Sequence, residues 1–268
     1  MTSVHAWPVA AAVIRLADDA HDAQVAELRQ QLEAARTELQ EFTYTVSHDL
    51  RAPLRHINAF AQIIEEDLPD MPPDIAGHLA TIRQSAQLLT NQLDGLTALS
   101  RLGQQVVQVE PVDADAVVHS VIETLYQQVL PRQLQWQVAA DIPPVLADAG
   151  LLGQVLTQLL DNACKFTRGR EPATINVSWV ALPEGRCGLS VQDNGVGFRP
   201  EQAGQLFKVF ARLHPAREFD GLGLGLVFCR KMMLRMGGSI SIEAAEDAGC
   251  CVRLTLPLAA ALTAPGAG

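Results

Sequence analysis

A hydrophobic heptad repeat in the N-terminal part of the chain restricts the fold more than any other feature of the sequence. Apolar residues recur at alternating steps of three and four from Val25 to Val46, with charged residues and glutamines between them. This spacing puts the apolar side chains on one stripe of an α-helix and is typical of a parallel two-stranded coiled coil. The sequence therefore predicts a coiled coil over residues 25–46 and, through it, a homodimer. The stripe consists of Val25, Leu28, Leu32, Ala35, Leu39, Phe42 and Val46.

The repeat is disturbed on both sides of His48. Two steps of four meet at Val46, because the next apolar residue is Leu50, and such a stutter locally unwinds a coiled coil. Pro53 follows within the same helical pattern, where it removes a backbone hydrogen bond and bends the helix. The heptad assigns His48 to position c, which faces solvent. We therefore expect an exposed histidine on an irregular stretch of helix.

A second heptad runs from Ile75 to Leu96, after a proline-rich turn at residues 68–73. Two long amphipathic helices joined by a short turn form a helical hairpin, and two hairpins form a four-helix bundle. We assign residues 47–103 to this hairpin and residues 1–24 to a lead-in segment that precedes the coiled coil.

Beyond the hairpin, the periodicity changes between residues 101 and 111, and helical and strand patterns then alternate. Such alternation predicts a helix layer on one mixed sheet. We assign residues 104–258 to this second domain and residues 259–268, rich in Ala, Gly and Pro, to a flexible tail. The predicted helices are 114–130, 151–166 with Asp148 as its cap, and 222–236, and the predicted strands are 134–139, 174–180, 189–191, 239–244 and 251–256.

The composition excludes several classes of partner and site. A net charge of −10 argues against nucleic acid or an anionic membrane as the main partner. The five cysteines form no C-x-x-C pair, which disfavours a disulfide framework or a zinc site and fits a reducing, cytoplasmic compartment. The apolar stretch at residues 7–14 is shorter than the roughly 20 residues that a spanning helix needs. We therefore expect no membrane span.

Three motifs in the second domain suggest nucleotide chemistry. Gln158, Asn162 and Lys165 share one face of the predicted helix 151–166, where amide oxygens and an ammonium suit Mg²⁺ and phosphate. Residues 193–198, D-N-G-V-G-F, follow a predicted strand and offer a carboxylate to an exocyclic amine. Residues 221–226, G-L-G-L-G-L, open a predicted helix whose N–H groups favour an anion. Each motif alone also fits a solvated face or an ordinary turn.

The order of these motifs resembles the N, G1, F and G2 boxes of histidine kinases, which belong to the GHKL ATPase superfamily. The segment at residues 42–54, F-T-Y-T-V-S-H-D-L-R-A-P-L, likewise resembles the phosphoacceptor box of that family. The resemblance covers residues 24–257. The chain also resembles the kinase modules of phytochrome-like photoreceptors, particularly in S-H-D-L-R-A-P-L at residues 47–54 and F-x-x-F-x-R-L-H at residues 207–214. The resemblance implies an α+β multidomain chain, in which a dimeric four-helix bundle with a coiled-coil lead-in precedes an α/β two-layer sandwich of the GHKL type.

The resemblance also implies roles for individual residues. His48 matches the phosphoacceptor, and Asp49 the acidic residue that orients the ring or takes a proton. Asp193 would hold the adenine amine of ATP, and Asn162 would ligate Mg²⁺, with Gln158 as a second candidate ligand. The partner implied is the receiver domain of a response regulator. The implied ATP-binding set is Asn162, Lys165, Phe166, Asp193, Gly195, Gly197, Phe207, Phe210, Arg212, Gly221, Gly223, Gly225 and Leu226.

Four positions depart from the family pattern. Gln158 stands where Asn is common, Leu222 replaces a common Thr, and Val209 replaces an Arg in the F box. Ala52 occupies the place where kinases that also dephosphorylate their partner carry Thr or Asn, and its methyl can neither donate nor accept a hydrogen bond. The sequence therefore predicts a kinase with weak or absent phosphatase activity. The six other histidines match no special role.

Two other functions remain open from the sequence. A degenerate kinase could serve as a phosphorelay or interaction scaffold, although the presence of Asn162, Asp193 and the G2 glycines argues against it. A GHKL kinase for serine, related to anti-sigma factors, would lack the histidine hairpin. The sequence contains no recognisable sensor domain. Either a separate sensor protein binds the N-terminal coiled coil, or the chain is the kinase part of a longer receptor.

Overall fold

A computed structural model of the chain describes residues 7–103, 105–129, 132–215 and 218–259. The chain divides into two compact units, with the division between Arg101 and Leu102. Residues 1–6 of the predicted lead-in and residues 260–268 of the predicted tail lie outside the described residues. Within the described ranges, no helix combines the length and the apolar character needed to cross a membrane.

The first unit consists of two long helices, as the two heptads predict. Helix α1 spans Trp7–Asp67 and helix α2 spans Pro73–Leu102. Pro73 starts α2 at a position where a missing backbone N–H costs no helical hydrogen bond. Pro53 lies inside α1 and cannot donate the helical hydrogen bond to the carbonyl of Asp49. The irregularity that the sequence predicts therefore falls directly after His48.

The two helices bury only part of their heptad residues against each other. Ion pairs also join them, from Arg51 to Asp94 at 3.0 Å and from Arg83 to Glu65. Among residues 23–101 of this unit, the buried ones are Ser47, Leu54, Ala61, Leu79, Ala86 and Thr97. Much of the remaining stripe is exposed on the single chain, including Leu28, Leu32, Leu39, Leu50, Ile57, Ile82 and Leu89. An apolar face of this length is typical of an interaction surface.

The second unit is built on a five-stranded mixed sheet with the order β2-β4-β5-β7-β6. Strands β2 and β4 pair in parallel, and the other neighbours pair antiparallel. Two short strands, β1 and β3, form a separate antiparallel pair. The bounds are β1 Glu110–Val112, β2 Leu134–Val138, β3 Val145–Ala147, β4 Ala173–Leu182, β5 Arg186–Asp193, β6 Ser239–Ala245 and β7 Gly249–Pro257.

Three helices contribute to one hydrophobic core with the sheet, which confirms the predicted two-layer α/β fold. They are α3 Ala114–Val129, α4 Ala149–Phe166 and α5 Gly225–Arg235. Along β4, alternate residues are buried, starting with Ala173, Ile175 and Val177, so one face of the strand meets the helix layer. Helix α4 is the centre of this layer, and its fully buried residues include Leu151, Leu152, Leu156 and Leu160.

Asp148 fixes the first turn of α4, as the sequence predicts. Its Oδ1 accepts a hydrogen bond from the backbone N–H of Leu151 at 3.1 Å, which is the N-cap interaction. Its Oδ2 accepts another from the N–H of Gln108 at 3.0 Å. These two backbone donors lower the pKa of the Asp148 carboxyl, and the N–H of Gln108 has the larger effect. The cap therefore also ties the segment before β1 to the start of α4.

The structure corrects several predicted boundaries and adds three elements. The helix predicted at 222–236 begins only at Gly225, because Gly223 adopts a φ of +71° and cannot belong to a right-handed helix. The strand predicted at 189–191 is longer and spans Arg186–Asp193. Strands β1 and β3 and a short 3₁₀ helix at Pro200–Gln205 were not predicted from the sequence.

Candidate functional site

His48 lies on the solvent-facing side of α1, as its heptad position predicts. The side chains of His48 and Asp49 are 69% and 72% exposed. Nδ1 of His48 lies 3.2 Å from Oδ1 of Asp49, and because a carboxylate oxygen only accepts, the ring nitrogen donates. In the neutral ring this arrangement leaves the lone pair on Nε2. The first unit therefore presents a nucleophilic nitrogen on an accessible ring.

Three residues define the surface around His48. Tyr44, one turn earlier on α1, stacks on His48 with ring centroids 6.4 Å apart. The guanidinium carbon of Arg101 lies 5.8 Å from the centroid of the Tyr44 ring. Ala52, one turn after His48, contributes only a methyl group to this surface.

The second unit contains a cavity of about 410 Å³. It is bounded by α4, the end of β5, residues 221–224 with the start of α5, and residues 198–215 and 218–220, which we call the lid segment. Its volume is within the range of small-molecule sites, roughly 300 to 1,000 Å³. The residues of the predicted site that line it are Gln158, Asn162, Lys165, Phe166, Asp193, Gly197, Arg212, Gly221, Gly223, Gly225 and Leu226.

Helix α4 contributes amide and ammonium groups to one wall of the cavity. Lys165 donates from Nζ to Oδ1 of Asn162 at 3.0 Å, and Nζ also lies 4.7 Å from the ring centroid of Phe166. Burial lowers the pKa of Lys165, because it disfavours the charged ammonium. The side-chain oxygen of Gln158 points at α5, since a Cβ on Gly225 would lie 2.6 Å from it. The side-chain oxygen of Asn162 therefore already faces a cationic group, the ammonium of Lys165.

Asp193 ends β5 as a buried carboxylate on the cavity wall. Its exposed fraction is 8%, and Oδ1 accepts a hydrogen bond from the backbone N–H of Gly195 at 2.8 Å. Burial raises the pKa of Asp193 to about 6, although the backbone N–H groups of Gly195 and Cys250 oppose the change. A desolvated acceptor at the bottom of a cleft suits a ligand that brings its own donor.

The turn at residues 194–197, the G1 turn, is held rigidly behind Asp193. A Cβ on Gly197 would lie 1.9 Å from the carbonyl oxygen of Ala245, so only glycine fits at this position, where φ is +59°. Nη2 of Arg170 lies 3.0 Å from the carbonyl oxygen of Gly195 and 3.0 Å from Oδ1 of Asp247. The backbone N–H of Asp247 in turn donates to the carbonyl of Val196 at 2.8 Å. Gly195 itself does not line the cavity.

Before α5 begins, the G2 glycines (Gly221, Gly223 and Gly225) bring the backbone close to the lid segment. A Cβ on Gly223 would lie 2.5 Å from the carbonyl oxygen of Ala211, and the N–H of Phe210 donates to the carbonyl of Gly223 at 3.0 Å. The residue that caps α5, Leu224, offers no side-chain hydrogen bond to the first turn. The N–H groups at the start of α5 are therefore available to an anion in the cavity.

Two further members of the implied ATP-binding set, both in the lid segment, do not line the cavity. Phe207 packs under the guanidinium of Arg230, which lies 5.7 Å from its ring centroid. Phe210 adopts a φ of +63° and bonds through its backbone to Gly223. Arg212 does line the cavity, and its Nη2 donates to the carbonyl of Phe219 within the lid segment.

The cavity wall also includes residues that were not predicted from the sequence. His214, expected to be an ordinary histidine, lies against Phe166 and Phe219, with ring centroids 5.6 Å and 5.3 Å away. Asp161, Arg168 and Cys250 also line the cavity. The F-x-x-F-x-R-L-H pattern contained a signal for His214. The sequence contained none for Arg170, whose contacts at Gly195 and Asp247 are distant along the chain.

The residues present fit an adenine nucleotide with Mg²⁺. A buried acceptor, three cationic side chains (Lys165, Arg168 and Arg212) and a helix N-terminus surround a cavity with mixed apolar and polar walls. Within the described ranges no cluster of three or more His, Cys, Asp or Glu side chains could hold a metal ion. A hard cation here would be held by amide oxygens together with the phosphates of the nucleotide.

Comparisons with known proteins agree with the two units. Residues 38–105 match the family described as the His Kinase A (phospho-acceptor) domain. Residues 147–260 match the family described as histidine kinase-, DNA gyrase B-, and HSP90-like ATPase.

Curated relatives include the methanogenesis regulatory histidine kinase FilI of Methanothrix harundinacea, 35% identical over 229 residues. That alignment covers 85% of this chain and 25% of FilI. Cyanobacterial phytochrome B of Nostoc is 29% identical over 236 residues, which cover 87% of this chain and 31% of the relative. The chain thus spans about a quarter to a third of the length of these relatives.

Solved structures show the same architecture. Full-length ShkA in complex with AMPPNP has a TM-score of 0.57 and 26% identity, over 81% of this chain and 46% of ShkA. The Acinetobacter baumannii histidine kinase AdeS has a TM-score of 0.52, over 79% of this chain and 98% of AdeS, and at 21% identity it supports the fold alone. With its phosphoacceptor helices and its GHKL-type ATPase domain, the chain belongs to the sensor histidine kinases and comprises their catalytic core.

Proposed function

We propose that the chain phosphorylates its own His48 from ATP and then transfers the phosphoryl group to an aspartate in the receiver domain of a response regulator. The single observation that carries the proposal is the cavity of the second unit, with a buried carboxylate on one wall and cations and a helix N-terminus on the others. The exposed ring of His48, oriented by Asp49, is the acceptor.

In the proposed complex, the exocyclic amine of adenine donates to Asp193, and the phosphates lie at the start of α5 near Lys165 and Arg212. Asn162, with Gln158 as a second candidate, would hold Mg²⁺, which when bound neutralises negative charge on the phosphates. Gly197, Gly221, Gly223, Gly225 and Leu226 line the nucleotide, and Phe166 packs against it. Gly195 acts through Asp193, and Phe207 and Phe210 join the lid segment to Arg230 and Gly223 outside the cavity.

The transfer requires a nucleophile on His48 and a place for the positive charge that forms on its ring. The lone pair of Nε2 attacks the γ-phosphorus, the bond to the bridging oxygen breaks, and ADP leaves with the electron pair. The charge on the imidazole is stabilised by Asp49, which accepts from Nδ1–H. In the second transfer, the carboxylate of the receiver attacks the phosphorus, and the electron pair of the P–N bond returns to Nε2.

We further propose a homodimer through α1 and α2, supported by the exposed apolar stripe of the heptads. The functional division follows the sequence assignment, with a coiled coil at 25–46, a phosphotransfer hairpin at 47–103 and an ATP-binding domain at 104–258. The N-terminal coiled coil is a site where a separate sensor protein or a preceding receptor segment would deliver the signal.

The proposal includes weak or absent phosphatase activity, because Ala52 has no polar side-chain atom to orient a hydrolytic water. The phosphorylated receiver domain should persist when it is incubated with this protein and ADP. Ala52→Thr should accelerate its hydrolysis. Rapid hydrolysis by the wild-type protein would contradict this part of the proposal.

Incubation with γ-labelled ATP and Mg²⁺ tests the kinase activity directly. The wild-type chain should acquire an acid-labile, base-stable label, as expected for phosphohistidine. His48→Gln should lose the label because the nucleophile is gone, and Asn162→Ala should lose it because a metal ligand is gone.

His56→Gln is the matched control, because His56 is a second exposed histidine two turns further along α1. This variant should be labelled as strongly as the wild type. Label that survives His48→Gln, or a wild-type chain that binds no adenine nucleotide, would overturn the proposal.

A further inference from the structure

His214 connects the lid segment to the G1 turn, which is held in place by close contacts of its own. Its Nε2 lies 3.0 Å from the carbonyl oxygen of Gly197 in the G1 turn. A carbonyl oxygen only accepts, so Nε2 carries a proton and donates to it. The acceptor is well fixed, because Gly197 fits tightly against Ala245 and the neighbouring carbonyl of Val196 accepts from Asp247.

The imidazole of His214 also belongs to a cluster of three rings at the cavity wall. It packs against Phe166 at 5.6 Å and against Phe219 at 5.3 Å, and these two phenyl rings are themselves 4.9 Å apart. Phe166 is the last residue of α4 and directly follows Lys165. Phe219, in the same lid segment as His214, accepts through its carbonyl from Arg212. The ring cluster therefore joins the lid to α4 beside the cationic wall.

These two sets of contacts attach the lid segment at one residue to both sides of the cavity. The hydrogen bond fixes it to the turn that supports Asp193, and the ring contacts fix it to the helix that carries Asn162 and Lys165. We propose that His214 is a positioning residue, which latches the lid segment over the bound nucleotide without contacting the reacting atoms. The proposal rests on the proposed function, since it assumes that the cavity binds ATP.

The latch predicts a specific kinetic pattern. A lid that opens more readily lets the nucleotide dissociate faster, so loss of His214 should raise the KM for ATP and the Kd for ADP. It should leave the maximal rate of His48 phosphorylation at saturating ATP within about twofold, because the bound complex is unchanged. Losing one hydrogen bond and the ring packing together should weaken binding by roughly tenfold.

The experiment compares three variants in the full chain. His214→Ala removes both contacts, His214→Gln retains a donor for Gly197, and His214→Phe retains the ring packing. ADP affinity is measured by calorimetry with Mg²⁺, the dissociation rate by stopped flow with a fluorescent ADP analogue, and KM and kcat by His48 labelling. His119→Ala is the control, because His119 is exposed on α3 and contacts Asp115 on the same helix.

We expect a Kd about tenfold higher for His214→Ala, with a matching increase in dissociation rate, and about threefold higher for each partial variant. His119→Ala should match the wild type. An unchanged Kd in His214→Ala, or a fall in kcat with KM unchanged, would overturn the latch. So would wild-type affinity in His214→Phe, since the hydrogen bond to Gly197 would then have no role.

Two features keep the test decisive. If His214→Ala does not fold, the latch still requires both partial variants to weaken ADP binding, and wild-type binding by either one refutes it. If the wild-type chain itself binds no ADP, the proposed function fails. If the wild type and all three variants bind ADP equally, only the latch fails.

Discussion

Replacement of Asp193 by asparagine should stabilise the second unit but weaken its proposed binding of nucleotide. Burial raises the pKa of the carboxyl from 3.8 to about 6, so above pH 6 the fold holds an ionised group that it disfavours. This difference in pKa corresponds to a cost of up to about 3 kcal/mol in the free energy of folding, at about 1.4 kcal/mol for each pKa unit. Asparagine has the same shape and can still accept from Gly195, but it carries no charge.

The sign of the effect follows from linkage. The folded-state pKa of Asp193 is raised, so its contribution to stability is fully present below pH 3.8 and is lost as the pH rises through about 6. Asp193→Asn should therefore raise the free energy of unfolding by up to about 3 kcal/mol at pH 8. At pH 4 the two proteins should differ little. Urea unfolding, followed by the fluorescence of Trp136 and Trp179 in the sheet, measures this difference.

The same substitution should weaken nucleotide binding. An ionised carboxylate offers only acceptors to the amine of adenine, whereas an amide can place its own N–H₂ there. We expect at least a tenfold loss of ADP affinity at pH 8. The ratio of wild-type to variant affinity should also fall by about tenfold between pH 7.5 and pH 5, as Asp193 takes up a proton. This ratio cancels the titration of the nucleotide phosphates.

One result would refute the reasoning outright. If Asp193→Asn is less stable than the wild type at pH 8, burial of the charge is not the dominant cost, and the backbone donors from Gly195 and Cys250 outweigh it. Retention of wild-type ADP affinity by a folded variant would equally show that the carboxylate does not receive the adenine amine.

Three further substitutions probe other parts of the chain. Asp148→Ala removes the cap of α4 and the bond to Gln108, and should lower the free energy of unfolding by about 1 to 2 kcal/mol in urea titrations. Leu32→Glu on the exposed stripe should shift the mass in light scattering from twice 28.9 kDa toward 28.9 kDa, whereas Glu38→Ala off the stripe should not. Arg170→Met frees the carbonyl of Gly195 and should weaken ADP binding several-fold in calorimetry, and unchanged affinity would exclude a role for this clamp.

The long helices were predictable because their signals are local and repeated. The heptads from Val25 to Leu96 specify α1 and α2 through many residues of one period, and the cap at Asp148 marks the start of α4. The short strands β1 and β3 have three residues each and depend on pairing with each other, Glu110 opposite Ala147. A local pattern of three residues cannot predict which distant segment such a strand pairs with.

The start of α5 was placed too early for a related reason. The glycines from 221 onwards look like the beginning of a helix, but Gly223 takes a left-handed conformation to accept from the N–H of Phe210 in the lid. The helix can begin only after this contact is complete. Similarly, His214 is one histidine among seven in the sequence, and its importance follows from contacts with Phe166 and Gly197.

Gln158 illustrates how the structure changes the meaning of a departure from the family pattern. From the sequence, a longer amide one turn before Asn162 suggests altered metal binding. In the fold, its oxygen occupies the space beside Gly225, where a Cβ would lie only 2.6 Å away. The longer side chain thus reaches the first residue of α5, and glycine at 225 leaves room for it. The N box and the G2 box, with Gln158 and Gly225 67 residues apart in this chain, therefore constrain each other sterically, whereas the side-chain oxygen of Asn162 accepts a hydrogen bond from Lys165.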